Sequence, residues 1–200
     1  MDQSLEYIKH GYELAKVSKN KYDLTIATIL IAYHYIFRGD IQKGDTYLHS
    51  GLEMSIEIGE KWMISIAKQV AGESFYLQGK YRVSLSYFEE AFEIAEKIDL
   101  KLWRRVALLG IAINRKKLGL KIDYNIVDQE IKKNYNKNLS DTQKGFTQYC
   151  YYLIFEEKKY LQSAYEAVIK ISDNLIQKDK EKFLNCPWMK MIIEDWEKFH

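Results

Sequence analysis

The chain has 200 residues, 30 Lys and Arg against 28 Asp and Glu, 47% apolar residues, one proline, ten glycines and two cysteines. Average charge with ample apolar content excludes a disordered or fibrous chain, and a net charge of +2 gives no global reason to expect nucleic acid or an anionic membrane as partner. So few prolines in so long a chain predict an all-α protein of long regular elements.

The first residues, Met1-Asp2-Gln3-Ser4-Leu5-Glu6, are acidic and polar, where an export signal needs a basic start and an apolar core. The longest nearly uncharged run, Thr25 to Phe37, contains His34 and is shorter than the roughly 20 residues of a membrane span, so no membrane partner is expected. Cys150 and Cys186 stand alone, without a second cysteine or a histidine at ligand spacing. That usage predicts a reducing, cytoplasmic setting.

Sliding the sequence by 40 residues superposes Ile26 on Ile66, Ala27 on Ala67, Gly39 on Gly79, Tyr47 on Tyr87 and Glu53 on Glu93. Tyr7, Gly11, Ala107 and Gly119 extend the same columns. A fixed period of this size marks a solenoid. Apolar residues recur at helical spacing within each unit and a glycine or short charged stretch divides it, so each unit reads as a helical hairpin. In chain order the spacing predicts about ten helices, near 2–18, 22–38, 41–58, 62–78, 81–98, 102–119, 123–137, 141–157, 160–178 and 187–199. They form a single domain over 1–200: a partial unit at 1–18, hairpins at 22–59, 62–99, 102–137 and 141–178, and a capping helix at 187–199. The chain thus opens on the second helix of a unit. Glycines 39, 79 and 119 suit left-handed helix stops, and Ala32, Gly72 and Ala112 suit close helix contact. Pro187 suits the first turn of the last helix, whose Trp188 and Trp196 are placed to cover the open apolar end of the stack.

The segment Gly72-Glu73-Ser74-Phe75-Tyr76-Leu77-Gln78-Gly79-Lys80-Tyr81, followed by Ser84, Phe88 and Ala91, resembles the tetratricopeptide repeat (TPR) family. Ala32, Tyr35, Gly39, Ile41, Gly44, Leu48 and Gly51 fill the same columns more loosely. The likeness weakens at Arg115, Tyr124 and Asp128, and in a fourth unit marked by Tyr151, Ile154, Tyr160 and Ser163, where Lys158 replaces the glycine. The 40-residue period is similar to the extended TPRs of bacterial regulatory and signalling proteins. The resemblance implies a right-handed α-solenoid, a TPR-like superhelix, whose concave groove is lined mainly by first helices and binds a protein or peptide segment.

By the family's spacing the groove includes Ile29, Tyr33, Ile36 and Phe37, then Gln69, Glu73 and Tyr76, then Leu109, Ile113 and Lys116, and finally Gln148, Tyr152 and Phe155. Tyr33, Phe37, Gln69, Glu73, Tyr76, Ile113, Lys116 and Tyr152 are the candidate binding residues. Alanine at Phe37 and Tyr76 is expected to weaken binding without unfolding the chain. The carboxylate clamp of chaperone-binding TPRs is not expected, because Ile29, Tyr33, Val70, Val106 and Gly110 stand at its positions. TPR phosphatases and peptide-sensing regulators carry a further N-terminal helical module, whereas here the first residues already belong to the repeat.

Charge is uneven. Residues 40–99 hold six basic and eleven acidic side chains, a balance of −5, and residues 101–144 hold eleven basic and four acidic, a balance of +7. Arg104, Arg105, Arg115, Lys116, Lys117 and Lys121 are a candidate basic patch for an acidic partner, with Lys132, Lys133 and Tyr135 beyond them. This supports an alternative reading as a nucleic-acid-associated regulator. A third reading is a self-assembling scaffold in which the repeat ends meet another copy. His10, His34, His49 and His200 lie far apart, and no phosphate-binding loop or nucleophile elbow is present. No catalytic residue, metal or cofactor is therefore expected.

Overall fold

Through the first half of the chain, helices begin at Lys21, Ile41, Lys61, Tyr81 and Lys101, one every twenty residues. The residue that reverses the chain before each start has a left-handed backbone: Lys19, Gly39, Gly59, Gly79 and Asp99 have φ between 53° and 82°, and Gly119 continues the series at 67°. This torsion ends a helix by turning its last amides back onto the final carbonyls, and glycine adopts it without a Cβ penalty. The predicted stops at 39, 79 and 119 are therefore present, and the 40-residue period is two equal half-steps.

The computed structural model describes residues 2–132 and 140–199. Among them are eleven helices and no strand: α1 (Asp2–Val17), α2 (Lys21–Phe37), α3 (Ile41–Ile58), α4 (Lys61–Leu77), α5 (Tyr81–Lys97), α6 (Lys101–Lys117), α7 (Tyr124–Lys132), α8 (Asp141–Phe155), α9 (Lys158–Asp173), α10 (Gln177–Leu184) and α11 (Pro187–Glu197). The chain divides into two compact units, Met1–Asn114 and Arg115–His200.

In the first unit α2 pairs with α3 and α4 with α5, while α2 also lies against α4. Hairpins whose first helices pack side by side make an all-α helical-repeat solenoid. The core joins Ile29, Ala32 and Ile36 of α2 to Leu48 of α3 and to Met63, Ala67 and Val70 of α4. Glycines admit the closest contacts. A Cβ on Gly51 would stand 2.9 Å from the Ile29 side chain, and on Gly72 and Gly110 it would stand 2.8 and 2.5 Å from the Phe88 ring. Phe88, buried on α5, thus fills the space that α4 and α6 leave by lacking a side chain.

Short polar links fix the register. The Ser84 hydroxyl donates to the Gly72 carbonyl at 2.7 Å, and the Asn114 amide donates to the Ser84 oxygen at 2.9 Å. Between hairpins, the Ser74 hydroxyl and the Gln78 amide donate to Asp45 at 2.6 and 3.2 Å.

In the second unit α8 pairs with α9, and α10 and α11 pack on α9. Pro187 stands in the first turn of α11, where its missing N–H costs nothing. Trp188 of that helix is buried, with its ring 4.8 Å from Phe146 in an edge contact. Trp196 stacks on Tyr165 at 4.9 Å, and the Tyr149 hydroxyl donates to Asp195 at 2.7 Å.

Here the structure corrects the sequence reading. The single helix expected over 160–178 ends at Asp173, and the separate helix α10 follows, so the described residues hold eleven helices, in keeping with the expected number of about ten. Asn174 sits in the cap position and its amide donates to the Lys170 carbonyl at 2.7 Å, closing the helix. The fourth unit's left-handed stop falls at Glu156, φ 59°, and not at Lys158. The second helix of the third unit is described to Lys132; residues 133–137 of that prediction lie outside the described residues.

Candidate functional site

The side chain of Asn20 accepts the backbone N–H groups of Tyr22 and Asp23 at 3.1 and 3.2 Å, starting α2 with a full N-cap. From Leu24 to Phe37 the helix carries no Asp, Glu, Lys or Arg. Its hydroxyls turn inward: Thr25 and Thr28 donate to the Lys21 and Leu24 carbonyls, each at 2.7 Å. Ile29, Ala32 and Ile36 enter the core.

The remaining face is also apolar. Tyr22, Ile26, Leu30, Tyr33 and Phe37 follow one another at three- and four-residue steps and so form one stripe along the helix. Leu30 and Tyr33 are 44% and 43% exposed, Tyr22 is exposed, and Ile26 and Phe37 are half-buried. A helix apolar around its whole circumference is ordinarily enclosed, yet α2 keeps this side open to water. The Tyr33 and Phe37 rings lie 6.1 Å apart, and Tyr22 lies 6.1 Å from Trp62 of α4.

Beside the stripe, α4 contributes the half-buried Glu73. Burial first, and the Glu73 carboxylate second, push the Tyr33 phenol above its ordinary range, so it stays a neutral hydroxyl. One turn earlier on α4, Gln69 is buried; its amide N–H faces the Ser65 hydroxyl at 3.5 Å and its carbonyl oxygen has no hydrogen-bond partner among the described residues.

The candidate residues therefore fall into two groups. Tyr33, Phe37 and Glu73 reach the surface of the first unit. Gln69, Tyr76 and Ile113 are buried there, as are Ile29, Ile36 and Leu109. Tyr76 lies 5.4 Å from the Tyr81 ring, so it is a packing residue of the free chain, and alanine at 76 is expected to destabilise the fold and not merely to weaken binding. Leu30 and Tyr22 were not anticipated. Family spacing put Ile29 at the surface, but Ile29 is the side chain that fills the notch at Gly51, which rotates Leu30 outward.

In the second unit Tyr152 is half-buried, stacked 5.9 Å from Tyr149 and edge-on to Phe199 at 6.2 Å. Burial and then Asp195 push its phenol upward. Lys116 donates to the Ile154 carbonyl at 2.7 Å and pairs with Glu156 at 2.9 Å, neutralising the carbonyl end of α8.

Of the basic-patch residues, Lys116 is engaged within the fold in this way, Arg104 pairs with Glu96 at 3.9 Å, Arg105 is buried and Arg115 is half-buried. Lys117 and Lys121 are exposed; Lys133 and Tyr135 lie outside the described residues. The acidic helix α5 also meets basic neighbours, with Glu90 2.5 Å from Lys68 of α4.

Among the described residues no group of three or more His, Cys, Asp or Glu is placed to hold a metal ion, and no helix is long and apolar enough to cross a membrane. Cys150 and Cys186 are buried and not joined in a disulfide. No protein-family model matches the chain, and no curated protein matches its sequence.

Proposed function

We propose that this chain is a non-enzymatic, TPR-like binding protein of a bacterial regulatory system that holds a protein or peptide segment against the open face of α2 and α4. The observation that carries the reading is the stripe Tyr22, Ile26, Leu30, Tyr33 and Phe37, the water-facing side of a helix with no charged residue from Leu24 to Phe37. Apolar side chains of the bound segment cover Leu30, Tyr33 and Phe37, removing apolar area from water at roughly 25 cal/mol per Å². Glu73 accepts a backbone N–H or a cationic side chain of the segment, and the Tyr33 hydroxyl donates to a carbonyl. The match of residues 72–91 to the TPR pattern supports the same use of first helices.

The test is a double variant, Leu30→Lys with Tyr33→Lys. Both side chains are more than two-fifths exposed, so the fold should tolerate the change and helicity by circular dichroism should stay at the parent's level. Capture of the partner from the source cell's lysate should be lost. Retention of the same partner by a fully helical variant would sink the reading.

A further inference from the structure

The open face of α2 has a counterpart on α4. Forty residues on, Tyr22, Ile26, Ile29, Tyr33 and Phe37 become Trp62, Ile66, Gln69, Glu73 and Leu77, again at three- and four-residue steps and so again on one side of a helix. Two columns change character. Where α2 has Ile29 and α6 has Leu109, α4 has Gln69; where α2 has Tyr33 and α6 has Ile113, α4 has Glu73.

The fold by itself asks for an aliphatic residue at position 69. Ile29, Gln69 and Leu109 are each 4% exposed, so the three copies of the column share one degree of burial. The glutamine brings a carbonyl oxygen there that has no hydrogen-bond partner among the described residues. Its amide N–H has little more, the Ser65 oxygen at 3.5 Å, and the Ser65 hydroxyl itself donates to the Ala91 carbonyl at 3.0 Å. An unpaired buried acceptor lowers stability relative to an aliphatic side chain of similar size, so Gln69 opposes the packing that its column otherwise serves. A residue that breaks the local rule without a gain inside the chain is expected at a functional site.

The neighbours of Gln69 define the donor that would satisfy it. Glu73, one turn further on and half-buried, is the one charged side chain of the two stripes, and its charge acts on the Tyr33 phenol. A segment lying over Tyr33 also takes water from Glu73, which is costly unless the segment brings positive charge. A carboxylate accepts more than one donor, so a contact within the chain does not exhaust it. An ammonium acts as a point charge, whereas a guanidinium is a planar fork of donors that reaches acceptors on successive turns and lies flat on an aromatic ring.

We infer, on the basis of the proposed groove, that Gln69 and Glu73 select an arginine side chain of the bound segment. Glu73 takes its charge, the Gln69 carbonyl accepts a second N–H, and the exposed Tyr33 ring supports the guanidinium plane. Rotation about the Gln69 side-chain torsions brings the carbonyl to the groove and gives up the weak contact with Ser65.

The test pans displayed random peptides on the full chain. Clones whose binding is abolished by Leu30→Lys with Tyr33→Lys are groove binders, and these are expected to share an arginine among apolar residues. Their affinity should fall by about tenfold or more, the loss of a charge-assisted hydrogen bond, in Gln69→Leu, in Glu73→Gln, and when the peptide's arginine is replaced by lysine. Gln69→Leu should meanwhile raise the thermal midpoint of the chain, because it restores the aliphatic column. A lowered midpoint would make Gln69 a residue the fold needs and overturn the inference. Groove clones without arginine, or groove clones indifferent to Gln69→Leu, would also overturn it while leaving the groove reading in place. If no clone depends on Leu30 and Tyr33, the groove reading fails and the arginine site fails with it.

Discussion

In Met1–Asn114 the turns recur every twenty residues and side-chain contacts recur every forty, as the stacked pairs Tyr47–Tyr35 and Tyr87–Phe75 show. In Arg115–His200 neither interval persists. The helices there are shorter, one of them, α10, has a single buried residue, and the unit is held by aromatic side chains gathered around α11. The contrast separates two ways of stabilising a helical stack. Repetition makes each contact depend on a backbone position, so glycines carry it; a terminal cluster depends on a few large side chains and tolerates drift in register.

The largest expected effects remove the central side chain of each unit. Phe88→Ala should cost about 3–5 kcal/mol, because glycines 72 and 110 offer no side chains to refill the space, and Trp188→Ala should cost about as much in the second unit. Chemical denaturation of the two variants checks both figures. A smaller loss, about 1–3 kcal/mol, is expected from Gly110→Ala, whose methyl group displaces the Phe88 ring. The same change made in a Phe88→Ala background should be neutral or stabilising. A double-mutant cycle with no coupling between positions 88 and 110 would contradict the interlock.

Smaller again is the effect of the turns. Asp99 adopts the left-handed torsion that glycine takes at 39, 59 and 79, so Asp99→Gly should raise stability by up to about 1 kcal/mol, and Gly79→Ala should lower it by about as much. Thermal melts of the pair, which should move in opposite directions, test whether the twenty-residue rhythm is a backbone requirement. The least effect concerns an exposed ion pair of the second unit. A hydrogen bond from Lys170 at 2.9 Å, and its charge, hold the Asp141 carboxyl below its usual range. The pair contributes its stability in full above the ordinary carboxylate range, and the contribution is lost progressively as pH falls from there through the lowered value. In Lys170→Ala an NMR titration should show the Asp141 midpoint rising toward that of a free aspartate.

The first unit was legible in the sequence because one physical demand, a tight turn beside a notch, recurs there in identical residues at 39 and 79. The drift beyond Gly119 was not. The sequence QKDKEKFL gives α10 almost no apolar periodicity, and Leu175 and Ile176 prolong the apparent spacing of α9 past the point where Asn174 closes it. At the candidate site the spacing pointed to Tyr33 and Phe37, of which Tyr33 is exposed and Phe37 half-buried. Leu30 was not legible, because a one-residue step turns a helix position by about 100°, and the rotation of α2 is decided by Ile29 entering the Gly51 notch, a contact between helices. Tyr76 was placed in the groove by family spacing, but its contact with Tyr81 is set by the turn at Gly79.

The central claim is that α2 presents its open apolar stripe to a partner, and site-specific photocrosslinking in the source cell tests it most directly. A photoreactive side chain at position 33 should trap a discrete protein or peptide, while the same group at Glu53, on an exposed face of α3, should trap none. Equal trapping at both positions, or trapping at 53 alone, would contradict the account.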